Sequence, residues 1–303
     1  MTRRTSQLRK LLREGGPGIV PGANDCFTAK LIEQAGFAAV HVTGGGASNT
    51  YLGVPDLGLL TLNELASQAE RISDAVSVPV IADCDTGFGG IHNVVRTVRM
   101  YERAGVAGLH IEDQVFPKRC GHFEGKQVVP VEEMMHRVKA AVDARTDPEF
   151  LIIARTDARQ AEGLGPAMAR AHAYLDAGAD AIFLEQPRSL DELRQVGQAF
   201  PGTPLVANMV ERSRTPLVPE AELKAMGYSI ILYANAALYL AAFAVREGLK
   251  VLRAEGSTES LLDRMLSFEE RQELIGLHAA DDYERGLVES VRALRARQGD
   301  SPG

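Results

Sequence analysis

The feature that most constrains this chain is a repeated phrase, in which a helical stretch ends at Ala-Gly or its like and a short apolar run follows that stops on a polar residue. Four copies stand out: Gln34-Ala-Gly-Phe-Ala-Ala-Val-His-Val-Thr43, Arg103-Ala-Gly-Val-Ala-Gly-Leu-His-Ile-Glu112, Asp176-Ala-Gly-Ala-Asp-Ala-Ile-Phe-Leu-Glu185 and Ala225-Met-Gly-Tyr-Ser-Ile-Ile-Leu-Tyr233. Glycine suits the position just past a helix C-terminus, where a positive φ is easiest. An unbroken apolar run suits a parallel strand covered on both faces. Four further runs, residues 18–23, 78–83, 150–155 and 203–208, read as strands of the same kind. Amphipathic stretches of helical period, such as 91–104, 131–144, 166–177 and 190–199, lie between them. Eight strands alternating with helices over about 250 residues predict a (β/α)8 barrel. The barrel is assigned to residues 1–256, with 257–303 a helical C-terminal extension of the same domain. A doubly wound open sheet is the alternative, weakened because no G-x-G-x-x-G opens the first helix.

Composition narrows the function classes. With 33 basic and 40 acidic residues the formal charge is −7, which argues against nucleic acid as a partner. Cys26, Cys84 and Cys120 are an odd set without C-x-x-C spacing, which disfavours a disulfide framework or a structural zinc and points to a reducing, cytoplasmic compartment. The basic N-terminus lacks the apolar run of a signal peptide. The most apolar stretch, 230–245, is shorter than the ~20 residues of a membrane span and reads as buried core.

A barrel builds its site at the C-terminal strand ends. Here those ends carry Asn24-Asp25, Thr43, Asp83 with Asp85, Glu112 with Asp113, Arg155 with Asp157, Glu185, Asn208 and Asn235. Asp25, Asp157 and Asn235 read first as helix N-caps, whereas Glu112, Arg155 and Glu185 are poor caps. Asp83, Asp85, Glu112 and Glu185 would repel one another on converging, so they imply a hard divalent cation, Mg²⁺ or Mn²⁺. The competing reading is a carboxylate network neutralised by Arg155 and nearby lysines. Two connections exceed ordinary loop length. Residues 44–58 are glycine-rich, with amides suited to cradling a carboxylate or phosphate. Residues 113–126 set Cys120 among Lys118, Arg119 and His122, a positive field that would lower a thiol pKa and make it usable as an acid or nucleophile.

At Lys118-Arg-Cys-Gly-His122 the sequence resembles the isocitrate lyase/phosphoenolpyruvate mutase superfamily, and specifically its small branch similar to 2-methylisocitrate and 2,3-dimethylmalate lyases. The likeness continues through Thr43-Gly-Gly-Gly46, Leu52-Gly-Val-Pro-Asp-Leu-Gly58, Asp83-Cys-Asp-Thr-Gly-Phe-Gly89, His110-Ile-Glu-Asp-Gln114, Ala154-Arg-Thr-Asp157 and Ala207-Asn-Met209, in order over nearly the whole chain. It implies a (β/α)8 barrel with a C-terminal helix exchanged between subunits, a homotetramer, Mg²⁺, and a mobile lid carrying the cysteine. By that resemblance Asp83, Asp85 and Glu112 hold the metal, and Thr43, Gly44 and Gly45 bind a 2-oxo-acid carboxylate. Arg155, Glu185 and Asn208 hold the substrate, with Asp56, Gly121 and Arg271 also at the binding site. Cys120 is the catalytic acid, supported by His122 and Lys118.

The activity implied is cleavage of a 2-hydroxy di- or tricarboxylate to a 2-oxo acid such as pyruvate plus a carboxylate. Alternatives within the resemblance are a carboxyphosphoenolpyruvate phosphonomutase and an oxaloacetate hydrolase or decarboxylase. Three places depart from the pattern, one being residues 186–188, Gln-Pro-Arg, where a small residue usually follows Glu185. Tyr239 stands where methylisocitrate lyases carry an arginine, and Ala234 where oxaloacetate hydrolases carry a serine. The partner expected is a small carboxylic acid, with no membrane involved.

Overall fold

A computed structural model describes residues 3–121, 123 and 125–299. In chain order these form α1 (Arg4–Arg13), β1 (Gly18–Ala23), α2 (Cys26–Gln34), β2 (Val40–Val42), α3 (Gly44–Ala47), α4 (Leu62–Ala75), β3 (Val80–Asp83), α5 (Ile91–Arg103), β4 (Gly108–Glu112), α6 (Val131–Ala144) and β5 (Leu151–Thr156). There follow α7 (Ala158–Ala161), α8 (Leu164–Asp176), β6 (Ala181–Leu184), α9 (Leu190–Ala199), β7 (Leu205–Asn208), α10 (Glu220–Ala225), β8 (Tyr228–Tyr233), α11 (Ala236–Glu255), α12 (Phe268–Leu274) and α13 (Leu277–Gly299). The strands pair in parallel, each with the next, and β8 closes on β1 as a barrel, which removes the open-sheet alternative. The chain divides into two compact units, Met1–Ala242 and Phe243–Gly303.

The repeated phrase does what its chemistry demands. Gly36, Gly105, Gly178 and Gly227 each follow a helix C-cap with φ between 75° and 102°, a region costly for a residue with a Cβ. The glycine turns the chain directly into a strand. β2, β3, β4, β5 and β6 are buried at every position, as continuous apolar runs require.

Strand residues two apart share a face, so the registers sort the inward side chains into layers drawn from alternate strands. Val20, Ile81, Ile153 and Val206, from the odd strands, form a dry apolar layer. Above it the even strands supply His41, His110, Phe183 and Leu232. The odd strands then give Gly22, Asp83, Arg155 and Asn208, and the even strands end in Thr43, Glu112, Glu185 and Ala234. Polarity therefore rises toward the C-terminal strand ends. At the opposite end α1 lies across the barrel, with Leu8 fully buried in the interior cluster. Thr5 donates to Asp147 Oδ2 at 2.8 Å and Arg9 to the Glu149 carbonyl at 3.0 Å, fixing that helix.

One expectation is overturned here. The stretch 230–245 is buried only through the strand, for α11 has no buried residue and Leu240 is 71% exposed. Apolar composition signalled a strand followed by an uncovered helix face, and sequence alone does not distinguish the two.

Candidate active site

Two carboxylates leave the end of β3 in different environments. Asp83 accepts the Asp85 amide at 2.9 Å and the Gly44 amide at 3.3 Å. Burial alone would raise its pKa, but His110, Lys118 and Arg155 outweigh that and hold it well below the usual carboxylate range. Asp85, in the left-handed region at φ 49°, is pushed up to about 6 by burial and by the charges of Asp83 and Asp56, against the pull of Lys118. Glycine at 44 lets the backbone approach closely, since a Cβ there would stand 2.7 Å from Asp83 Oδ2 and displace that carboxylate. The glycine-rich segment is not the open cradle expected. Gly44–Ala47 is a helical turn whose N-cap hydroxyl, on Thr43, accepts the Gly46 amide at 3.3 Å. A π-helical turn, Ser48–Leu52, follows.

Arg155 organises the other side. Its Nε lies 2.9 Å from Asp157 Oδ2 and 3.3 Å from Glu112 Oε2, and its Nη2 3.6 Å from Glu185 Oε2. The guanidinium also lies over the Phe183 ring, 4.9 Å from its centroid. Asn208 Nδ2 donates to Glu185 Oε2 at 3.1 Å. Asp157 is not the cap its position suggests, because its carboxylate serves Arg155 and Lys126, while Asp25 does cap α2 by accepting the Thr28 amide at 2.7 Å. The convergence of four acids is thereby corrected. Glu112 and Glu185 are turned to Arg155, and among the described residues no three His, Cys, Asp or Glu side chains converge closely enough to hold an ion by themselves.

The segment after β4 is laid across this mouth. Its base pairs with itself, Val115 N donating to Gln127 O and Val129 N to Asp113 O, both at 2.9 Å. Lys118, 3% exposed, reaches inward to Asp56 Oδ1 at 2.6 Å and Asp85 Oδ1 at 2.8 Å. It was expected to charge the neighbourhood of the thiol; instead it is committed to these carboxylates, which hold its pKa well above normal despite burial. Lys126 Nζ donates at 2.6 Å to both Asp157 Oδ1 and the Gly121 carbonyl. The Cys120 amide donates to the Asp56 carbonyl at 3.1 Å, and Cys120, half-buried, lines the cavity with Thr43, Gly45, Asp83 and Arg155. Gly121 packs so closely that a Cβ would clash with Arg155 Nη2.

Other expected site residues fall elsewhere. His122 lies outside the described residues. Arg271 belongs to the second unit, where it is exposed and its guanidinium lies 4.9 Å from the Phe268 ring centroid. Cys84 is buried, its thiol directed at the His110 carbonyl at 3.0 Å, as a structural cysteine should be. Sequence reasoning missed Lys126 and gave no role to His41. The usable signal was position, since His41 and His110 both stand two residues before the polar end of a repeated phrase and so point inward. Their Nε2 atoms are 3.0 Å apart, and burial, then the neighbouring His110, pulls the His41 pKa down to about 3.

The donor set fits a hard divalent cation. Glu112 Oε1 is buried with no hydrogen-bond partner, and burial pushes Glu112 and Asp85 toward protonation, a tendency a nearby cation would reverse. One or two carboxylates with the rest of the shell left to water or substrate is the manner in which Mg²⁺ is usually held.

Barrel, strand-end acids and cysteine-bearing segment together define a class, and comparison with known proteins gives it a family. The phosphoenolpyruvate phosphomutase family model matches residues 8–253, and the chain belongs to that family, part of the phosphoenolpyruvate mutase/isocitrate lyase superfamily. It is 47% identical to 2,3-dimethylmalate lyase of Eubacterium barkeri over 93% of this chain and 98% of that one. It is 41% identical to 2-methylisocitrate lyase of Shewanella oneidensis over 91% of this chain and 94% of that one. Among solved structures it is similar to an oxaloacetate acetylhydrolase bound to 3,3-difluorooxaloacetate, with TM-score 0.90, 37% identity, and 94% and 97% of the two chains covered. A phosphonopyruvate hydrolase solved with oxalate and Mg²⁺ gives TM-score 0.84 and 33% identity, covering 94% and 98%.

The close approach of Gly121 to Arg155 generates a structural prediction. Gly121→Ala should keep the barrel folded while lifting the segment, so that trypsin cuts after Lys118 and Lys126 at least about ten-fold faster than in the wild type. Unchanged cleavage would show that the segment accommodates the methyl group.

Proposed function

We propose that this protein is a Mg²⁺-dependent carbon–carbon lyase that cleaves a 2-hydroxy dicarboxylate bearing an alkyl branch, of the 2,3-dimethylmalate type, to a 2-oxo acid such as pyruvate and a smaller carboxylate. The observation that carries the reading is that Cys120 lines one cavity with Asp83 and Arg155, on a segment whose buried Lys118 and Lys126 pair with Asp56, Asp85 and Asp157. The relatives' names support lyase chemistry, and the apolar lining from Phe183, Val210, Leu232 and Ala234 fits an alkyl group. Tyr239, standing where methylisocitrate lyases carry an arginine, brings no positive charge for a third carboxylate and so favours this substrate.

Asp83 and Asp85, with Glu112 behind them, would hold the ion. When bound, Mg²⁺ supplies the Lewis acidity that makes the substrate's 2-hydroxyl acidic. Arg155 and the Gly45 amide bind the adjoining carboxylate and the charge that grows on it, with the Gly44 amide engaged by Asp83. The 2-hydroxyl gives its proton to solvent as the substrate is bound. Electrons from the 2-oxygen form the new C=O as the C2–C3 bond breaks, leaving the pair on C3 conjugated with its own carboxylate. Glu185 and Asn208 orient that half. The Cys120 Sγ–H gives its proton to C3, and the segment excludes the water that would compete. The thiolate so formed is reprotonated from solvent when the segment opens. Lys118 acts by holding the segment down through Asp56 and Asp85, with His122 supporting the cysteine.

Self-association belongs to the same reading. Along α11, Leu240, Phe243 and Leu249 are exposed, and along α13 Leu287, Val291 and Leu294 are exposed at helical spacing. Second copies of this chain are the occupants proposed for these faces, in a closed homotetramer with the C-terminal helix exchanged. A cytoplasmic setting rests on three cysteines none of which is disulfide-bonded.

Tests follow directly. Incubated with Mg²⁺ and a panel of 2,3-dimethylmalate, 2-methylisocitrate, isocitrate, citramalate and oxaloacetate, the protein should release pyruvate fastest from 2,3-dimethylmalate. EDTA should abolish that release, and so should Asp85→Ala. Cys120→Ser should lower kcat by about 10²–10⁴-fold, the usual worth of a general acid, with little change in affinity for pyruvate. No pyruvate from any C–C substrate, with phosphonate formation from a carboxyphosphoenolpyruvate instead, would replace the lyase by a mutase. Light scattering at micromolar concentration should give a tetramer; a monomer would remove the assembly.

A further inference from the structure

The layer beneath the carboxylates holds two histidines for which the chemistry above has no use. His41 and His110 come from β2 and β4, which flank β3, and both are at most 3% exposed. Their rings stack with centroids 5.2 Å apart, and His110 meets the Phe183 ring edge-on at 5.5 Å. His41 Nε2 faces His110 Nε2 at 3.0 Å, and His110 Nδ1 faces Asp83 Oδ1 at 3.6 Å. His41 Nδ1 and His110 Nδ1 are both buried without a hydrogen-bond partner, the latter with the Asp83 carboxylate just beyond hydrogen-bond distance.

Those contacts decide the tautomers. One proton lies between the two Nε2 atoms, and it belongs to one ring or the other. If His110 donates it, His41 must carry its own proton on Nδ1, leaving a buried N–H with no acceptor. A neutral His110 would then also turn a bare lone pair toward the Asp83 carboxylate. If His41 donates, its Nδ1 is a bare acceptor, and His110, accepting at Nε2, carries its proton on Nδ1 toward Asp83. The second arrangement leaves its N–H just beyond hydrogen-bond distance of the Asp83 carboxylate but directed at that anion, whereas the first leaves an N–H with no anion to face and turns a lone pair toward Asp83, so electrostatics favour the second.

We propose that His41 is a positioning residue, which fixes His110 as the Nδ1–H tautomer so that its N–H dipole points at Asp83 and orients that carboxylate for the cation. This rests on the reading that Asp83 holds the metal. The pairing is a supporting contact to a ligand, of the kind whose loss typically costs 10–100-fold in metal affinity. It also explains why two imidazoles occupy a layer whose other members, Phe183 and Leu232, are apolar.

The test uses the full-length protein and Mn²⁺ alone, with binding read by electron paramagnetic resonance in the absence of substrate. His41→Phe keeps the ring but not the donor and should raise the Mn²⁺ dissociation constant by about 10–100-fold. His41→Gln, whose amide can donate at the same place, should stay within about three-fold of the wild type, a rescue that a merely space-filling role would not produce. Equal affinity in His41→Phe and wild type, or equal losses in the two variants, would overturn the proposal. In parallel, long-range ¹H–¹⁵N correlation on ¹⁵N-histidine-labelled wild type should show His110 protonated at Nδ1 and His41 at Nε2. The opposite tautomers would overturn it whatever the variants do. Wild type that binds no Mn²⁺ while showing these tautomers would fail the metal reading, and with it the role in cation binding, but leave the His41–His110–Asp83 orientation standing.

Discussion

Charge balance at the barrel mouth is the constraint on which the rest of this structure depends. The strand ends present Asp83, Glu112 and Glu185 to a site nearly closed to water, and an uncompensated buried carboxylate costs several kcal/mol. Arg155 rises from β5 between Glu112, Asp157 and Glu185, and it is kept charged by them. Its own burial would be unfavourable without those acids and the Phe183 face beneath it. The acids and the arginine are therefore conditions for one another.

That balance extends to the segment that crosses the mouth. Lys118 and Lys126 are brought in from a surface connection and buried against Asp56, Asp85 and Asp157. Asp157 in turn is supported from below, its amide donating to Asp113 Oδ1 at 2.9 Å, while Asp113 also accepts from Tyr174 and Thr156. The segment is held by ion pairs rather than by apolar packing; Val115, Phe116 and Phe123 on it are exposed. A covering held in this way can release when a competing charge enters the site. Such coupling suits the dianionic substrate proposed above, which the cavity would admit before excluding water.

Below the charged layers, polarity falls off in steps. His41 and His110 contribute rings that are polar at selected atoms only, and the next layer down is wholly aliphatic. This graded interior lets the site be deeply buried without placing a bare carboxylate against hydrocarbon. It also separates the two barrel ends, since α1 seals one by packing Leu8 into the core while the other carries the candidate site.

Much of this was legible in the sequence because it is local or periodic. The Ala-Gly phrase dictated the helix-to-strand turn four times over, and eight such units have few ways to close. The polar residue that closes each apolar run marked its strand end, so Asp83, Glu112, Arg155, Glu185 and Asn208 were readable as one surface. What the tertiary structure decided is which charges meet. Asp157 passed for a cap because a cap needs only its own helix, whereas its pairing with Lys126 spans 31 residues. Lys118 stood two residues from Cys120 in sequence, yet its long side chain turns to Asp56 and Asp85. The His41–His110 contact joins strands 69 residues apart. Spacing and composition carry backbone geometry and the inward or outward sense of a side chain; ion pairs and shared protons depend on distances of a few ångströms between remote segments, and only the closed barrel sets those.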